Sequence, residues 1–187
     1  MKKASLWLFA TLFSLSSLAQ SSSEIQHDLE KLMNFHSALY IAAHPDDENT
    51  RVIAWLSKGR LVSTSYLSLT RGDGGQNLIG EELGPELGML RTQELLAARR
   101  IDGGNQFFSR AVDFGYSKTA EETLSFWDKE EILKDVVRVI RRVKPEVIIT
   151  RFPPDRRAGH GHHTARAKLA LAAHDKASDP DFYPSEF

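Results

Sequence analysis

One short segment of the chain concentrates side chains that can bind a cation. In IAAHPDDENT, residues 41–50, His44 precedes the three acids Asp46, Asp47 and Glu48. Neighbouring carboxylates repel one another unless a positive group offsets them, so this spacing predicts a bound cation. Acids that cap the start of a helix are the alternative, and Glu48 is better explained by such support than by direct catalysis.

A second cluster follows more than a hundred residues later. In RFPPDRRAGHGHHTARAK, residues 151–168, His160, His162 and His163 crowd the start of a predicted helix. His160 and His163 are three residues apart, so they share a face if the helix begins this early, whereas His162 points elsewhere. Histidines that merely sit in solvent are the alternative for this cluster.

The two clusters together could form a catalytic metal site. A catalytic zinc ion typically has three protein ligands and an open position for water. His44, Asp47 and one histidine of the second cluster supply such a set. Asp46 could then take a proton from the water, and the spare histidine could stabilise an oxyanion. The chain has no cysteine, which excludes thiolate ligands, a thiolate nucleophile and disulfides.

The elements around the clusters predict an α/β fold. Buried strands are expected at Ser37–Ala43, Leu61–Thr70 and Glu146–Thr150, and helices at Thr50–Lys58, Pro85–Ile101 and Lys129–Val143. Strands that alternate with helices indicate a mainly parallel sheet with helices on both faces. Ligand sites of such sheets form at the carboxyl ends of the strands, where both clusters lie.

Composition indicates one ordinary globular domain. The chain has 187 residues, of which 41% are hydrophobic and 26% charged, and a formal net charge of -1. Its positive charges are scattered, so no nucleic-acid partner is expected. The oligomeric state is left open by the sequence.

The amino terminus reads as an export signal. Residues 1–19 combine two lysines, an apolar stretch and a small-residue cleavage site after Ala19, which predicts a signal peptide. A membrane anchor is the alternative, but the apolar run is shorter than the roughly 20 residues of a membrane span. Residues 20–28 are predicted to be a polar tail and residues 29–187 the folded domain, truncated at its C-terminus. We therefore expect a secreted or periplasmic bacterial protein with no membrane span after cleavage.

The two motifs resemble a known family. AHPDDE, residues 43–48, and the later H-x-x-H of residues 160–163 are similar to those of the PIG-L/LmbE family of zinc-dependent deacetylases, over about residues 37–173. The resemblance implies a Rossmann-like fold and removal of N-acetyl groups from N-acetylglucosamine-type sugars or glycoconjugates. It also implies Zn²⁺ as the cofactor, with another divalent metal such as Fe²⁺ as the alternative.

The resemblance assigns roles position by position. His44, Asp47 and His163 match the zinc ligands, Asp46 matches the general base, and His160 matches the oxyanion-stabilising histidine.

It also suggests three substrate-binding residues. Arg91 matches a helical arginine that reaches the sugar, although an ion pair with Glu94 would explain it equally well. Asp113 falls near a substrate-contacting acid of the family, and Arg71 is expected at the rim of the pocket.

The chain departs from the family pattern at one point. The family commonly has Pro-Asp between the two histidines of the second motif, and this chain has Gly161 and His162. An acid beside His160 could hold that histidine protonated, so its charge state is left open, and Asp155 is the expected substitute. A non-catalytic carbohydrate-binding or envelope scaffold, and a metal hydrolase of another amide, are the alternative functions.

Overall fold

The computed structural model describes residues 21–184, so the predicted signal peptide at residues 1–19 lies outside the described part of the chain. The chain divides into a unit that ends at Asn34 and a larger unit that begins at Phe35. Within the described residues, no helix combines the length and the apolar character that crossing a membrane requires.

Helix α1, Ser22–Leu32, occupies most of the segment that was predicted to be a polar tail. Its first turn carries a capping box in which the Ser21 hydroxyl accepts from the Glu24 amide, and the Glu24 carboxylate accepts from the Ser21 amide. The helix has no buried residue. Local capping therefore stabilises a helix in a segment that was predicted to be a polar tail.

The larger unit is built on four parallel strands in the order β3-β2-β1-β4. The strands are β1, Ser37–Ala42; β2, Ser63–Ser68; β3, Asn105–Phe108; and β4, Val147–Thr150. The predicted parallel sheet is confirmed. The sequence did not predict β3, because it has only four residues and two of them are polar.

The described part of this unit has five helices, of which four lie between strands and the last follows β4. They are α2, Thr50–Ala54; α3, Pro85–Asp102; α4, Ala120–Phe126; α5, Lys129–Val143; and α6, Gly161–Ala177. A π-helical turn, Trp55–Gly59, continues α2. Two short 3-10 turns, Pro45–Asp47 and Arg156–Ala158, precede α2 and α6.

Helices cover both faces of the sheet, as predicted. Side chains of β1 alternate between the two sides, because successive residues of a strand point in opposite directions. Leu39 and Ile41 pack in one core with residues of α5 and α6, including Val136 and Leu169. The other core joins Tyr40, Ala42 and Tyr66 of β1 and β2 to Ile53 of α2 and Leu95 of α3.

The strand order places a crevice between β1 and β4. Strand β2 pairs with one edge of β1, and β4, which comes later in the chain, pairs with the opposite edge of β1. In open α/β sheets, ligands bind at such a switch point, outside the carboxyl ends of the strands. Both histidine-containing clusters of the sequence follow these two strands.

Candidate metal centre

A tight turn after β1 orients the first two candidate ligands. His44 is the N-cap of the 3-10 turn Pro45–Asp47, and its backbone N–H donates to Asp47 Oδ2 over 2.9 Å. His44 Nδ1 lies 3.3 Å from the same oxygen. The Tyr66 hydroxyl donates to the His44 carbonyl over 2.6 Å, which ties the turn to the neighbouring strand.

The third candidate ligand is His163, on the first turn of α6. Its Nδ1 lies 3.2 Å from the carbonyl oxygen of Ala158, and because a carbonyl can only accept, Nδ1 carries the proton. The ring of Phe152 stacks on His163 with 4.1 Å between centroids. His163 Nε2 is therefore left with its lone pair, and it lies 3.1 Å from Asp47 Oδ1.

The three side chains meet around one point. Ligand atoms of His44, Asp47 and His163 all lie within 4.8 Å of one another. Burial alone would raise the pKa of Asp47, but the adjacent imidazoles of His163 and His44 outweigh this and hold it well below its usual range. Burial lowers the pKa of His44, and the hydrogen bond and charge of Asp47 outweigh this, so the net direction is upward. Two nitrogens and a carboxylate suit a divalent cation such as zinc.

Asp46 and Arg91 lie together at the edge of this site. Asp46 Oδ2 is 3.2 Å from Arg91 Nη2, and the Asp46 side chain is 68% exposed. Both residues line a cavity of about 710 Å³ that also contains the three candidate ligands. The structure thus pairs Arg91 of α3 with Asp46, whereas the sequence had left an ion pair with Glu94 as the alternative.

His160 also lines this cavity, and a backbone contact orients its ring. As the N-cap of α6, it accepts at Nδ1 from the backbone N–H of His162 over 3.1 Å. Nδ1 is therefore unprotonated in the neutral ring, and the proton lies on Nε2. Burial, followed by the charges of His44 and His163, lowers the pKa of His160.

Asp155 does not occupy the position of the missing acid. Its carboxylate accepts hydrogen bonds from the backbone N–H, Nε and Nη2 of Arg157. The hypothesis that Asp155 substitutes for that acid is therefore not supported. The acid that faces the histidines is Asp113, a buried residue that lines the cavity.

Arg71 lies outside this cavity. Its Nη1 donates to Thr92 Oγ1 over 3.0 Å, and its guanidinium lies 4.2 Å from the ring centroid of Phe108. It lines a neighbouring cavity of about 790 Å³ instead. Glu48, by contrast, matches the expectation of a supporting role, because it forms an ion pair with Arg99 of α3.

The sequence reasoning missed several residues of the site. Arg151 and Phe152 line the cavity, and Arg151 Nη1 donates to the Asp47 carbonyl over 3.2 Å. Tyr116 also lines it and packs edge-on against the ring of His160, 4.8 Å between centroids. Arg151 and Phe152 could have been predicted as site residues, because they directly follow β4 and ligand sites form at the carboxyl ends of parallel strands. Tyr116 lies in a loop whose path could not be predicted.

Close packing explains why this chain has glycine at position 161, where the family commonly has proline. A Cβ added at Gly161 would lie 2.3 Å from the Thr119 carbonyl and 2.4 Å from Ser117 Oγ. The Gly161 backbone N–H also donates to the Ser117 carbonyl over 2.9 Å. A larger residue at this position would displace the loop that precedes α4.

The fold and site together define a class: a parallel α/β protein with a His–Asp–His candidate metal centre at the switch point of its sheet. The family described as PIG-L, GlcNAc-PI de-N-acetylase, matches residues 39–174. The chain belongs to this family, as the two motifs had indicated.

One relative is a 1D-myo-inositol 2-acetamido-2-deoxy-alpha-D-glucopyranoside deacetylase from Geodermatophilus obscurus. It is 32% identical over 170 residues, which cover 78% of this chain and 55% of the relative. The chain spans about half the length of the curated relatives it matches.

Two solved structures share the fold. An N,N'-diacetylchitobiose deacetylase from Pyrococcus horikoshii has a TM-score of 0.64 at 20% identity, covering 90% of this chain and 64% of that chain. A 4-carboxy-2-hydroxymuconate hydratase from Pseudomonas putida has a TM-score of 0.61 at 23% identity, covering 82% and 61%. Because one fold carries two reactions, the reaction of this chain has to be argued from its site.

Proposed function

We propose that this protein is a zinc-dependent hydrolase that removes the N-acetyl group from an N-acetylglucosamine-type sugar or glycoconjugate. The observation that carries the proposal is the convergence of His44, Asp47 and His163 on one point, with Asp46 beside them in the same cavity. Membership of the family and the acetamido sugar in the relative's name support the same reaction.

His44, Asp47 and His163 would hold the metal. A bound zinc ion supplies Lewis acidity, which polarises a carbonyl and lowers the pKa of a water molecule to about 7. Protein contacts leave the nitrogen of His163 that faces the site free to ligate, since its other nitrogen donates to Ala158. Fe²⁺ is the alternative metal, because the same nitrogen and oxygen donors suit both ions.

Asp46 acts as the general base. Its exposed carboxylate takes a proton from the attacking water, while Arg91 at 3.2 Å holds it in position. His160 presents its Nε2–H to the cavity and donates to the carbonyl oxygen of the acetyl group, which becomes the oxyanion when water adds to the carbonyl carbon. The proton held on Asp46 is then delivered to the leaving amine, so the products are acetate and an amino sugar.

Three side chains shape the space for the sugar. Arg91 lines the cavity and could donate to a sugar hydroxyl with the part of its guanidinium that does not face Asp46. Tyr116 and Phe152 supply aromatic surface in the same cavity, which suits the apolar face of a pyranose ring.

We further propose export through the segment at residues 1–19. Its two lysines, apolar stretch and small-residue site support cleavage after Ala19 in a bacterial host. Amino-terminal sequencing of protein recovered from the periplasm or the medium tests this. A mature chain that begins at Gln20 is expected, and an uncleaved cytoplasmic product contradicts it.

Acetate release is the direct test of the reaction. Zinc-loaded protein is incubated with a panel of N-acetyl sugars and with simple peptide-like amides, and acetate and free amine are both quantified. Stoichiometric acetate and amino sugar are expected, and Asp46→Asn serves as the inactive control. Sugar binding with no acetate release would favour the scaffold alternative, and cleavage of only the other amides would favour a different hydrolase.

A further inference from the structure

A buried carboxylate lies behind the candidate metal ligand His44. Asp113 follows β3 in a loop, and its side chain is 4% exposed. Its Oδ2 lies 4.0 Å from His44 Nε2, and its Oδ1 lies 3.9 Å from His162 Nε2. Each oxygen of this carboxylate thus faces the Nε2 atom of a different imidazole.

The loop around Asp113 is fixed by its own hydrogen bonds. The backbone N–H of Asp113 donates to Asp73 Oδ2 over 3.1 Å, and Asp113 Oδ1 accepts from the backbone N–H of Gly115 over 2.9 Å. The Trp127 indole N–H donates to the Val112 carbonyl over 2.9 Å. The carboxylate is therefore held by a built framework and not by a chance side-chain orientation.

His162 is fully buried, and its two nitrogens have different surroundings. Nδ1 lies 3.2 Å from Ser117 Oγ and 3.2 Å from His160 Nδ1. Nε2 has no hydrogen-bond partner among the described residues, and it points towards Asp113. A buried polar atom without a partner is costly, and Asp113 is the charged group that this nitrogen faces.

The charge of Asp113 favours a proton on the nitrogens that face it. A nitrogen lone pair turned towards a buried carboxylate is repelled unless a cation lies between them, as a bound metal would between His44 and Asp47, whereas an N–H is attracted. If His44 carries its proton on Nε2, its Nδ1 is free, and Nδ1 is the atom that faces Asp47 in the metal site. If His162 carries its proton on Nε2, its Nδ1 can accept from the Ser117 hydroxyl, and the 3.2 Å contact of this nitrogen with His160 Nδ1 is then not a hydrogen bond.

We propose that Asp113 is a positioning residue which orients the metal ligand His44, and that His162 is the buried donor which holds Asp113 in place. This inference rests on the metal site of the proposed function and gives Asp113 a role other than sugar contact. Ligating histidines usually donate their second N–H to a carboxylate, and coordination makes that N–H a stronger donor. At 4.0 and 3.9 Å both contacts are about 1 Å longer than a hydrogen bond, so the proposal requires the carboxylate to lie about 1 Å closer to the two rings when the metal is bound.

The first experiment locates the protons on the histidine rings directly and needs no substrate. Long-range ¹H–¹⁵N NMR spectra of the ¹⁵N-histidine-labelled, zinc-loaded chain distinguish the two tautomers of each ring. We expect His162 and His44 to carry their protons on Nε2. A proton on His162 Nδ1 would overturn the proposal, because that ring would then donate to His160 and turn a lone pair towards Asp113.

The second experiment measures zinc affinity by competition with a chelator. Asp113→Asn is expected to weaken binding by about 10- to 100-fold, the usual cost of losing such an outer partner. His162→Leu is expected to weaken it in the same direction. His162→Gln places an amide near the position of Nε2, so it is expected to recover most of the loss.

Several results would contradict the proposal. Wild-type affinity in His162→Leu, or no recovery in His162→Gln, would remove the donor role of His162. Two zinc ions per wild-type chain and one in His162→Leu would make His162 a ligand instead. Circular dichroism of each variant checks that the fold is retained. Failure of acetate release alone would reject the proposed reaction and leave the tautomer and affinity results to decide this inference.

Discussion

Asp46 Oδ2 and Arg91 Nη2 lie 3.2 Å apart, which joins the proposed base after β1 to the middle of α3. This contact gives Arg91 a proposed role in positioning the base, in addition to its proposed contact with the sugar. The two roles predict different kinetics. Arg91→Met should lower kcat by about 100-fold if the base is displaced by about 1 Å, whereas loss of a sugar contact alone should raise KM. Steady-state kinetics separate them, with the exposed Arg51→Met as the matched control.

Asp46→Asn should abolish most turnover while the metal stays bound. An amide of the same shape cannot accept the proton, so kcat should fall by about 10²- to 10⁴-fold. Asp46 is not one of the three converging ligands, so zinc content measured by mass spectrometry should equal that of the wild type. Glu130→Gln, an exposed change of the same kind on α5, is the control. Loss of zinc in Asp46→Asn would show that this carboxylate ligates the metal.

His163→Ala should remove both metal and activity. The loss of zinc affinity should exceed the roughly 10- to 100-fold cost of an outer partner, because a direct ligand is deleted. His174→Ala, on the same helix but exposed to solvent, should retain zinc and turnover. Equal zinc content in the two variants after dialysis would contradict the proposed ligand set.

Arg166→Met should stabilise the fold. Arg166 is fully buried in α6, and its Nε, Nη1 and Nη2 have no hydrogen-bond partner among the described residues. Burial lowers its pKa, which reflects the cost of a charge in this position. Methionine fills a similar volume without charge, so the free energy of unfolding should rise by about 1–3 kcal/mol in urea titrations. An equal or lower value would indicate that the guanidinium is solvated or paired in solution.

Asp135→Asn should destabilise the fold in a pH-dependent way. Asp135 is buried and accepts from the backbone N–H and Nε of Arg110, each over 2.9 Å. Burial alone would raise its pKa, but the hydrogen bonds from Arg110 outweigh this and lower it from 3.8. A depressed folded-state pKa means that the stabilisation is complete above about pH 4 and is lost as the pH falls below it.

The lowered pKa of Asp135 predicts how the stability difference between the wild type and Asp135→Asn changes with pH. At pH 7 the wild type should be about 1–3 kcal/mol more stable than Asp135→Asn in urea. The difference should shrink below pH 4, as the wild-type carboxyl takes up its proton. A difference that grew on acidification would contradict the assigned direction.

The sequence by itself determined the fold class, and its spacing identified two of the three candidate metal ligands, while the third was assigned by the family resemblance. Three of the four strands could be recognised, because buried runs between helical patterns are a local signal. His44 and Asp47 are three residues apart, so a single turn brings them together whatever the rest of the chain does. Their spacing therefore predicted a shared cation directly.

Only the tertiary structure shows why His163 completes the set and what surrounds it. His160, His162 and His163 differ in role because α6 begins at Gly161, which makes His160 the cap, buries His162 and turns His163 towards Asp47. The contact of Asp46 with Arg91, and that of Asp113 with two imidazoles, join segments far apart in the chain. Such contacts depend on strand order and loop path, and no local pattern of residues encodes either one.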